Sequence, residues 1–110
     1  MEASVKEFAE KKILVTGAAN GIGRAIASRF AGLGANIIAI DRDGIELEAL
    51  ARELWPQATI TQIDCTDRTA VQRGIAEIEE NHPSIDVLVD NVGQSPRGKR
   101  LAKLSITHIF

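Results

Sequence analysis

The clearest chemical signal in the sequence is a glycine-rich segment, TGAANGIG, over residues 16–23. Gly17 can turn the chain sharply, Gly21 lets backbone approach a phosphate with no side chain between them, and Gly23 permits close packing behind the turn. A helix that starts here would offer its first N–H groups and its dipole to an anion. A glycine trio is a weak signal by itself, because any tight strand-to-helix turn recruits glycine. The segment predicts a phosphate-binding turn only where a strand precedes it and a helix follows.

A second candidate is Asp41, which ends the apolar run NIIAID. In dinucleotide-binding folds, an acid about 20 residues beyond the glycines accepts hydrogen bonds from the adenosine ribose. The alternative is that Asp41 only caps a helix starting near Asp43. Both interpretations stay open on the sequence alone.

Around these residues, apolar runs alternate with amphipathic segments. Runs over residues 12–16, 36–41, 58–63 and 85–89 are typical of buried strands. Helical spacing predicts helices over 24–33, 43–54 and 67–80, with Ile45, Leu47 and Leu50 facing inward in the second. This βαβαβαβ order predicts an α/β fold, a parallel sheet with right-handed crossovers and helices on both faces.

Taken together, the motifs resemble the short-chain dehydrogenase/reductase family. TGAANGIG is similar to its TGxxxGxG pattern, DNVG at residues 90–93 is similar to NNAG, and Asp41 and Asp64 follow the second and third strands. The resemblance covers residues 12–93 and implies a Rossmann-type sheet in the order 3-2-1-4. Asp90 departs from the family's asparagine, and a carboxylate can accept a hydrogen bond there but not donate one.

The resemblance implies a cofactor role for each matching position. The pyrophosphate would lie along the glycine-rich turn, at Gly17, Ala19, Asn20, Gly21, Ile22 and Gly23. A second set, after the third and fourth strands, would contact the adenine and the rest of the cofactor: Asp64, Cys65, Asn91, Val92 and Gly93. The thiol of Cys65 is interpreted as a small apolar filler and not as a nucleophile.

The resemblance also implies which dinucleotide is preferred. Asp41 would accept from both ribose hydroxyls and repel a 2′-phosphate, which favours NAD over NADP. Arg42 could hold that phosphate instead, but residues 18–20 offer no second base. NAD is the expected cofactor, and NADP is the less favoured alternative.

The sequence contains no tyrosine. Reduction of a carbonyl by hydride needs a proton donor at the substrate oxygen. The resemblance implies that this donor is the tyrosine of a YxxxK pair, assisted by a serine and an asparagine. We therefore assign no catalytic residue, and we expect an oxidoreductase by family that is inactive alone.

The end of the chain differs in composition from the rest. Residues 94–110 are apolar and basic, without an acid, and contain Arg97, Lys99, Arg100 and Lys103. We expect a dinucleotide-binding half over residues 1–93 and an atypical tail over 94–110, as in a chain truncated after the fourth strand. In the order 3-2-1-4, the fourth strand would be an open edge for self-association or a complementing chain.

Composition excludes several other classes of protein. A net charge of −2 gives no general attraction to nucleic acid, and no apolar run approaches the length of a membrane span. Residues 1–12 are unlike a signal peptide, so a cytoplasmic protein without nucleic-acid or membrane partners is expected. The single cysteine excludes an intrachain disulfide framework and a cysteine-rich zinc site, and no metal is expected.

Three interpretations follow. The first is the NAD(P)-binding portion of a short-chain dehydrogenase/reductase, without the half that transfers hydride to or from a carbonyl or alcohol. The second is a non-catalytic NAD-binding module or subunit that pairs with another chain. The third is a different doubly wound protein, such as a flavodoxin-like domain, but residues 94–110 cannot comfortably supply the fifth strand and helix that it needs.

Overall fold

A computed structural model describes residues 7–91, which alternate strictly between strands and helices. The elements, in chain order, are β1 (Lys12–Thr16), α1 (Gly21–Gly32), β2 (Asn36–Asp41), α2 (Gly44–Glu53), β3 (Ala58–Gln62), α3 (Arg68–Asn81) and β4 (Val87–Asp90). The predicted βαβαβαβ order is confirmed. None of the helices in this part of the chain is long and apolar enough to cross a membrane.

The strands form one parallel sheet in the order β3-β2-β1-β4. At its centre, Leu14 of β1 is in register with Ile38 of β2 on one side and with Leu88 of β4 on the other. β1 and β2 are central strands, which explains their unbroken apolar runs. This is the Rossmann-type topology that the family resemblance implies, and among the described strands β3 and β4 form the two edges.

One face of the sheet is covered by α1 and α2. Successive strand side chains alternate between the faces, so Ile13, Val15 and Ile37 enter this core. There they join Leu47 and Leu50, which are fully buried on α2. The short side chains Ala27 and Ala31 let α1 lie close against the strands.

The opposite face is covered by α3. Its buried stripe consists of Val71, Ile75 and Ile78, as the helical spacing predicts. These side chains join Leu14 and Ile38 in a second core. The carboxyl edge of the sheet is left between the two layers, which is where open α/β sheets bind ligands.

Some local predictions are wrong, among them the start of the first helix, which begins at Gly21 and not at Arg24. Ile45 is 79% exposed instead of inward-facing, because it lies on the first turn of α2 and the buried residues of that helix are Leu47 and Leu50. The last strand begins at Val87 and not at Ile85. Ile85 is buried in the core under α3 instead.

Candidate functional site

The glycine-rich turn connects β1 to α1 in a conformation that needs glycine at two points. Gly17 and Gly21 both have φ of +63°, a region that side chains with a Cβ rarely adopt. At Gly23 the constraint is space: an added Cβ would collide with the carbonyl oxygen of Gly17 and lie 2.7 Å from the Asn91 side-chain nitrogen. The turn is therefore folded tightly against the end of β4.

The start of α1 is open to solvent. Asn20 occupies the cap position in an extended conformation, but its side chain makes no hydrogen bond to the helix. The first turn contains no acid, and Ile22 is 71% exposed. The first N–H groups of a helix have no intrahelical acceptor, so this end can receive an anion.

Asp41 joins the glycine-rich turn to the turn that follows β2. Its Oδ2 accepts the backbone N–H of Ala19 at 3.0 Å, and its Oδ1 accepts that of Asp43 at 3.0 Å. The side chain that caps α2 belongs to Asp43, which accepts from the N–H of Glu46. The interpretation of Asp41 as the cap of this helix is therefore wrong. A carboxylate has about four acceptor positions, so Asp41 retains capacity for further hydrogen bonds.

An open cleft of about 290 Å³ lies at the carboxyl edge of the sheet. Residues at or just after the carboxyl ends of all four strands line it: Gly17, Asp41, Arg42, Ile63, Asp64, Cys65, Thr66 and Asn91. All of them except Ile63 and Thr66 belong to the set proposed from sequence. The chain thus brings together residues that are up to 74 positions apart, because the carboxyl ends of parallel strands lie on the same side of the sheet.

The turn after β3 is closed by its own side chains. Asp64 accepts hydrogen bonds from the hydroxyl of Thr66 at 2.7 Å and from its backbone N–H at 3.0 Å. These bonds to Thr66, with a smaller contribution from the positive charge of Arg42, lower the pKa of Asp64. Asp64 therefore stays a carboxylate at neutral pH, on the same cleft as Asp41.

Cys65 is buried in this turn. Removal from water raises the pKa of its thiol to about 11, and the carboxylates of Asp90, Asp64 and Asp41 add to the effect. A thiol of this kind is protonated at neutral pH and unreactive. Its properties agree with the interpretation of Cys65 as an apolar filler.

The ends of β1 and β4 are joined by polar contacts under the glycine-rich turn. Thr16, which is fully buried, donates from Oγ1 to Asp90 Oδ1 at 3.0 Å and accepts the backbone N–H of Asn91 at 2.8 Å. The Asn91 side chain also donates to the carbonyl of Gly17 at 3.4 Å. Asp90 thus helps to join β4 to β1 by accepting a hydrogen bond from the Thr16 hydroxyl.

The remaining predicted residues lie outside the cleft lining. Ala19 is buried in the turn and Gly23 in the first turn of α1, whereas Asn20, Gly21 and Ile22 are exposed at the start of this helix. Val92 and Gly93 lie outside the described residues. Within residues 7–91, no group of three histidine, cysteine or acidic side chains is arranged to hold a metal ion.

Four residues of this region were missed by the sequence analysis. Thr66 follows Asp64 by two residues, a spacing typical of a side-chain-closed turn, and Thr16 opens the glycine motif, so both had a local signal. Ile63 was assigned to the third strand and not to the cleft. Arg24 donates to the carbonyl of Ala19 at 3.1 Å, a contact that no sequence pattern indicated.

Comparison with known proteins bears on this site. A family model described as short chain dehydrogenase matches residues 11–109. A 3beta-hydroxysteroid dehydrogenase of Mediterraneibacter gnavus is 37% identical over 100 residues, which are 88% of this chain and 36% of that protein. An NAD-dependent glycerol dehydrogenase of Listeria innocua is 34% identical over 85 residues, 76% of this chain and 33% of that protein. The chain thus spans about a third of the length of these curated relatives.

Solved structures agree with the sequence comparison. A metagenomic short-chain oxidoreductase in complex with NADP is 32% identical and superposes with a TM-score of 0.72, over 78% of this chain and 40% of that one. The strand order, the glycine-rich turn and the family match over nearly the whole length lead to one conclusion. The chain belongs to the short-chain dehydrogenase/reductase family, whose members bind an NAD(P) dinucleotide.

Proposed function

We propose that the dinucleotide-binding half, residues 1–93, binds the adenosine diphosphate portion of a nicotinamide dinucleotide, with NAD preferred over NADP. The observation that carries the proposal is the position of Asp41, whose carboxylate lines the cleft and also fixes the N–H of Ala19 in the glycine-rich turn. One side chain thus connects the surface for a ribose to the surface for a phosphate.

Each part of the dinucleotide has a group of suitable chemistry. The pyrophosphate would lie at the open start of α1, against the N–H groups of residues 20–23, where the helix dipole favours negative charge. The ribose hydroxyls would donate to Asp41. The adenine would lie against Asp64 and the backbone at Cys65. Asn91, with Val92 and Gly93, would border the remainder of the cofactor.

The preference for NAD depends on the charge at the end of β2. The Asp41 carboxylate would accept from a 2′-hydroxyl and repel a 2′-phosphate. Arg42 is exposed beside it and is the one base on the described cleft lining that could oppose this preference. The relatives include both an NAD-dependent enzyme and a complex with NADP, so they support a dinucleotide without distinguishing the two.

The whole protein is proposed to be an oxidoreductase that transfers hydride between the nicotinamide and a carbonyl or alcohol. A bound nicotinamide supplies the hydride, and the protein must supply a proton at the substrate oxygen. The family resemblance gives that task to a tyrosine, and these 110 residues contain none. We therefore assign the proton donor and the substrate pocket to none of these 110 residues.

Titration with NADH, followed by cofactor fluorescence, tests the proposal. We expect binding that NAD competes for better than NADP. Asp41→Ala should weaken NADH binding about tenfold or more, because a hydrogen bond to a charged group contributes about 1.5–3 kcal/mol. It should also reduce the discrimination against NADPH.

Asp86→Ala is the matched control. Asp86 is another aspartate that accepts a backbone N–H, from Lys12 at 2.8 Å. It lies at the amino ends of the strands, on the side of the sheet away from the cleft. This variant should lose stability while keeping its affinity for NADH. Absence of NADH binding at millimolar concentration contradicts dinucleotide binding by this chain. Equal affinities of the unmutated chain for NADH and NADPH contradict the ribose role of Asp41.

A further inference from the structure

Arg24 is a basic residue on the first turns of α1, which is the wrong end of a helix for a positive charge. Its guanidinium is held by three oxygen atoms. Nη1 lies 3.1 Å from the carbonyl oxygen of Ala19 and 3.2 Å from Glu46 Oε1, and Nη2 lies 2.8 Å from Glu53 Oε1. Only a planar fork with several donors can make these contacts together.

These contacts complete a closed ring of hydrogen bonds between two turns. Asp41 accepts from the N–H groups of Ala19 and Asp43, and Asp43 accepts from the N–H of Glu46. Arg24 then connects Glu46 back to the carbonyl of Ala19. The ring joins the glycine-rich turn to the turn after β2, so the proposed phosphate and ribose surfaces are fixed to each other.

Ala19 is the residue at which this ring acts on the glycine-rich turn. Its N–H is held by Asp41 and its carbonyl by Arg24, so the peptide groups on both sides of it are fixed. The next residues, Asn20 and Gly21, lead directly into the open start of α1. A rotation of the backbone at Ala19 would therefore re-aim the first N–H groups of the helix.

We infer that Arg24 is a positioning residue for the dinucleotide: it holds the glycine-rich turn and α2 together so that the N–H groups of the turn and the Asp41 carboxylate stay aimed at one ligand. The inference rests on the proposed function. It gives Arg24 no direct contact with phosphate, because its guanidinium is already engaged by Ala19, Glu46 and Glu53.

Arg24 contributes more to the orientation of the glycine-rich turn than to the stability of the fold. The side chain of Arg24 is 28% exposed and those of Glu46 and Glu53 are 48% and 55% exposed, and exposed ion pairs contribute little to folding. Fixing donors before a ligand arrives does raise affinity, because less ordering remains to be done on binding. The hydrogen bond and charge of Glu53 raise the pKa of Arg24 further above its ordinary range. The guanidinium therefore keeps its positive charge at neutral pH.

The test compares three variants of the full chain by NADH titration, thermal unfolding and amide hydrogen exchange. Arg24→Met should weaken NADH binding about tenfold. Arg24→Lys should lose only about threefold, because an ammonium can reach some of the same oxygens without bridging all of them. Arg29→Met removes an exposed arginine from the last turn of the same helix and should leave the affinity within about twofold.

Hydrogen exchange separates positioning from a merely structural role. In Arg24→Met, the amide of Ala19, which donates to Asp41, should exchange faster without ligand, while the amides of β1 and β2 stay protected and the unfolding temperature stays close to that of Arg29→Met. The inference is overturned if Arg24→Met shows the same NADH affinity and the same amide exchange rates as Arg29→Met. A loss of NADH binding that follows a general loss of stability, without rescue by lysine, also overturns it.

The result is distinguishable from failure of the proposed function. An unmutated chain that does not bind NADH removes the proposed function and the inference with it. An unmutated chain that binds NADH, with an Arg24→Met variant that binds as tightly, leaves the proposed function intact and removes only the role of Arg24.

Discussion

The three helices start at the same edge of the sheet, but α1 starts differently from α2 and α3. Asp43 and Asp67 cap α2 and α3, and each accepts a backbone N–H from the first turn of its helix. Asn20 takes the equivalent position in α1 with an extended backbone and makes no such bond. A side chain able to cap is therefore present at all three helices and is used at two.

The difference indicates where the chain has kept room for a ligand. A capping side chain stabilises a helix by about 1 kcal/mol, and an aspartate also places negative charge on the helix N-terminus. At α2 and α3 that position is filled by the protein itself. At α1 the helix forgoes this stabilisation, and the open N–H groups lie beside the turn where glycine is required at Gly17 and Gly23.

The largest effect is expected from Gly23→Ala, which would break the open start of α1 outright. The added methyl would collide with the Gly17 carbonyl, and relief requires the turn to move away from β4. We expect a loss of about 3 kcal/mol or more in the free energy of unfolding, measured in urea, together with loss of NADH binding.

Gly32→Ala is the control within the same helix. A Cβ there has no neighbour within 4 Å, so alanine should leave NADH binding unchanged and raise stability by about 0.5 kcal/mol. If both variants lost stability and NADH affinity to a similar extent, alanine would be harmful anywhere in α1. The specific packing role assigned to Gly23 would then be contradicted.

An intermediate effect is expected from Asn20→Asp, which would make α1 resemble α2 and α3. The new charge should favour the helix by about 0.5 kcal/mol and weaken NADH binding about tenfold through repulsion of the pyrophosphate. Chemical unfolding and NADH titration measure the two changes, which have opposite signs.

The counterpart of this variant is Asp67→Ala, which removes a cap from a helix that is already closed. It should lower stability by about 1 kcal/mol and leave the NADH affinity unchanged. If Asn20→Asp bound NADH as tightly as the unmutated chain, the open start of α1 would not be where the pyrophosphate lies.

The smallest effect concerns the closed turn before α3, with Cys65 as its reporter. Because the pKa of this thiol is raised to about 11 in the folded chain, the unfolded thiol loses its proton first as the pH rises. Its contribution to stability is therefore complete below about pH 8.5 and is lost as the pH approaches about 11. Unfolding midpoints of the unmutated chain should fall more steeply over this range than those of Cys65→Ala.

Alkylation provides a second measurement of the same turn. Iodoacetamide should modify the folded chain slowly near neutral pH and the urea-unfolded chain rapidly. Rapid alkylation of the folded chain would mean that the turn after β3 opens readily. The distinction between this closed turn and the open start of α1 would then be contradicted.

The central strands and the cleft could be predicted because their signals are local. β1 and β2 have the predicted bounds, since unbroken apolar runs bounded by polar residues leave little freedom. Asp41 and Asn91 could be assigned to one edge of the sheet because parallel strands end on the same side. α1 was predicted to start at Arg24 but starts at Gly21, because glycines carry no apolar periodicity that would mark them as helical.

The contacts of Arg24 could not be predicted, for a different reason. Glu46 and Glu53 belong to another helix, and their distance from Arg24 depends on how α1 and α2 pack on the sheet. Ile45 shows the same limit, since a helix of ten residues has several apolar positions and the sheet covers only one stripe. Relations between elements need the tertiary arrangement, whereas relations within an element do not.

The contact between Thr16 and Asp90 has a direction, and the direction says what position 90 requires. The N–H of Asn91 can only donate, so the Thr16 oxygen accepts from it and the hydroxyl proton must point toward Asp90. The residue at position 90 must therefore accept a hydrogen bond from the Thr16 hydroxyl. Aspartate offers a carboxylate oxygen there, and the family's asparagine would offer its amide oxygen. The two residues are interchangeable toward this hydroxyl, because both present an oxygen that accepts its hydrogen bond although they differ in charge.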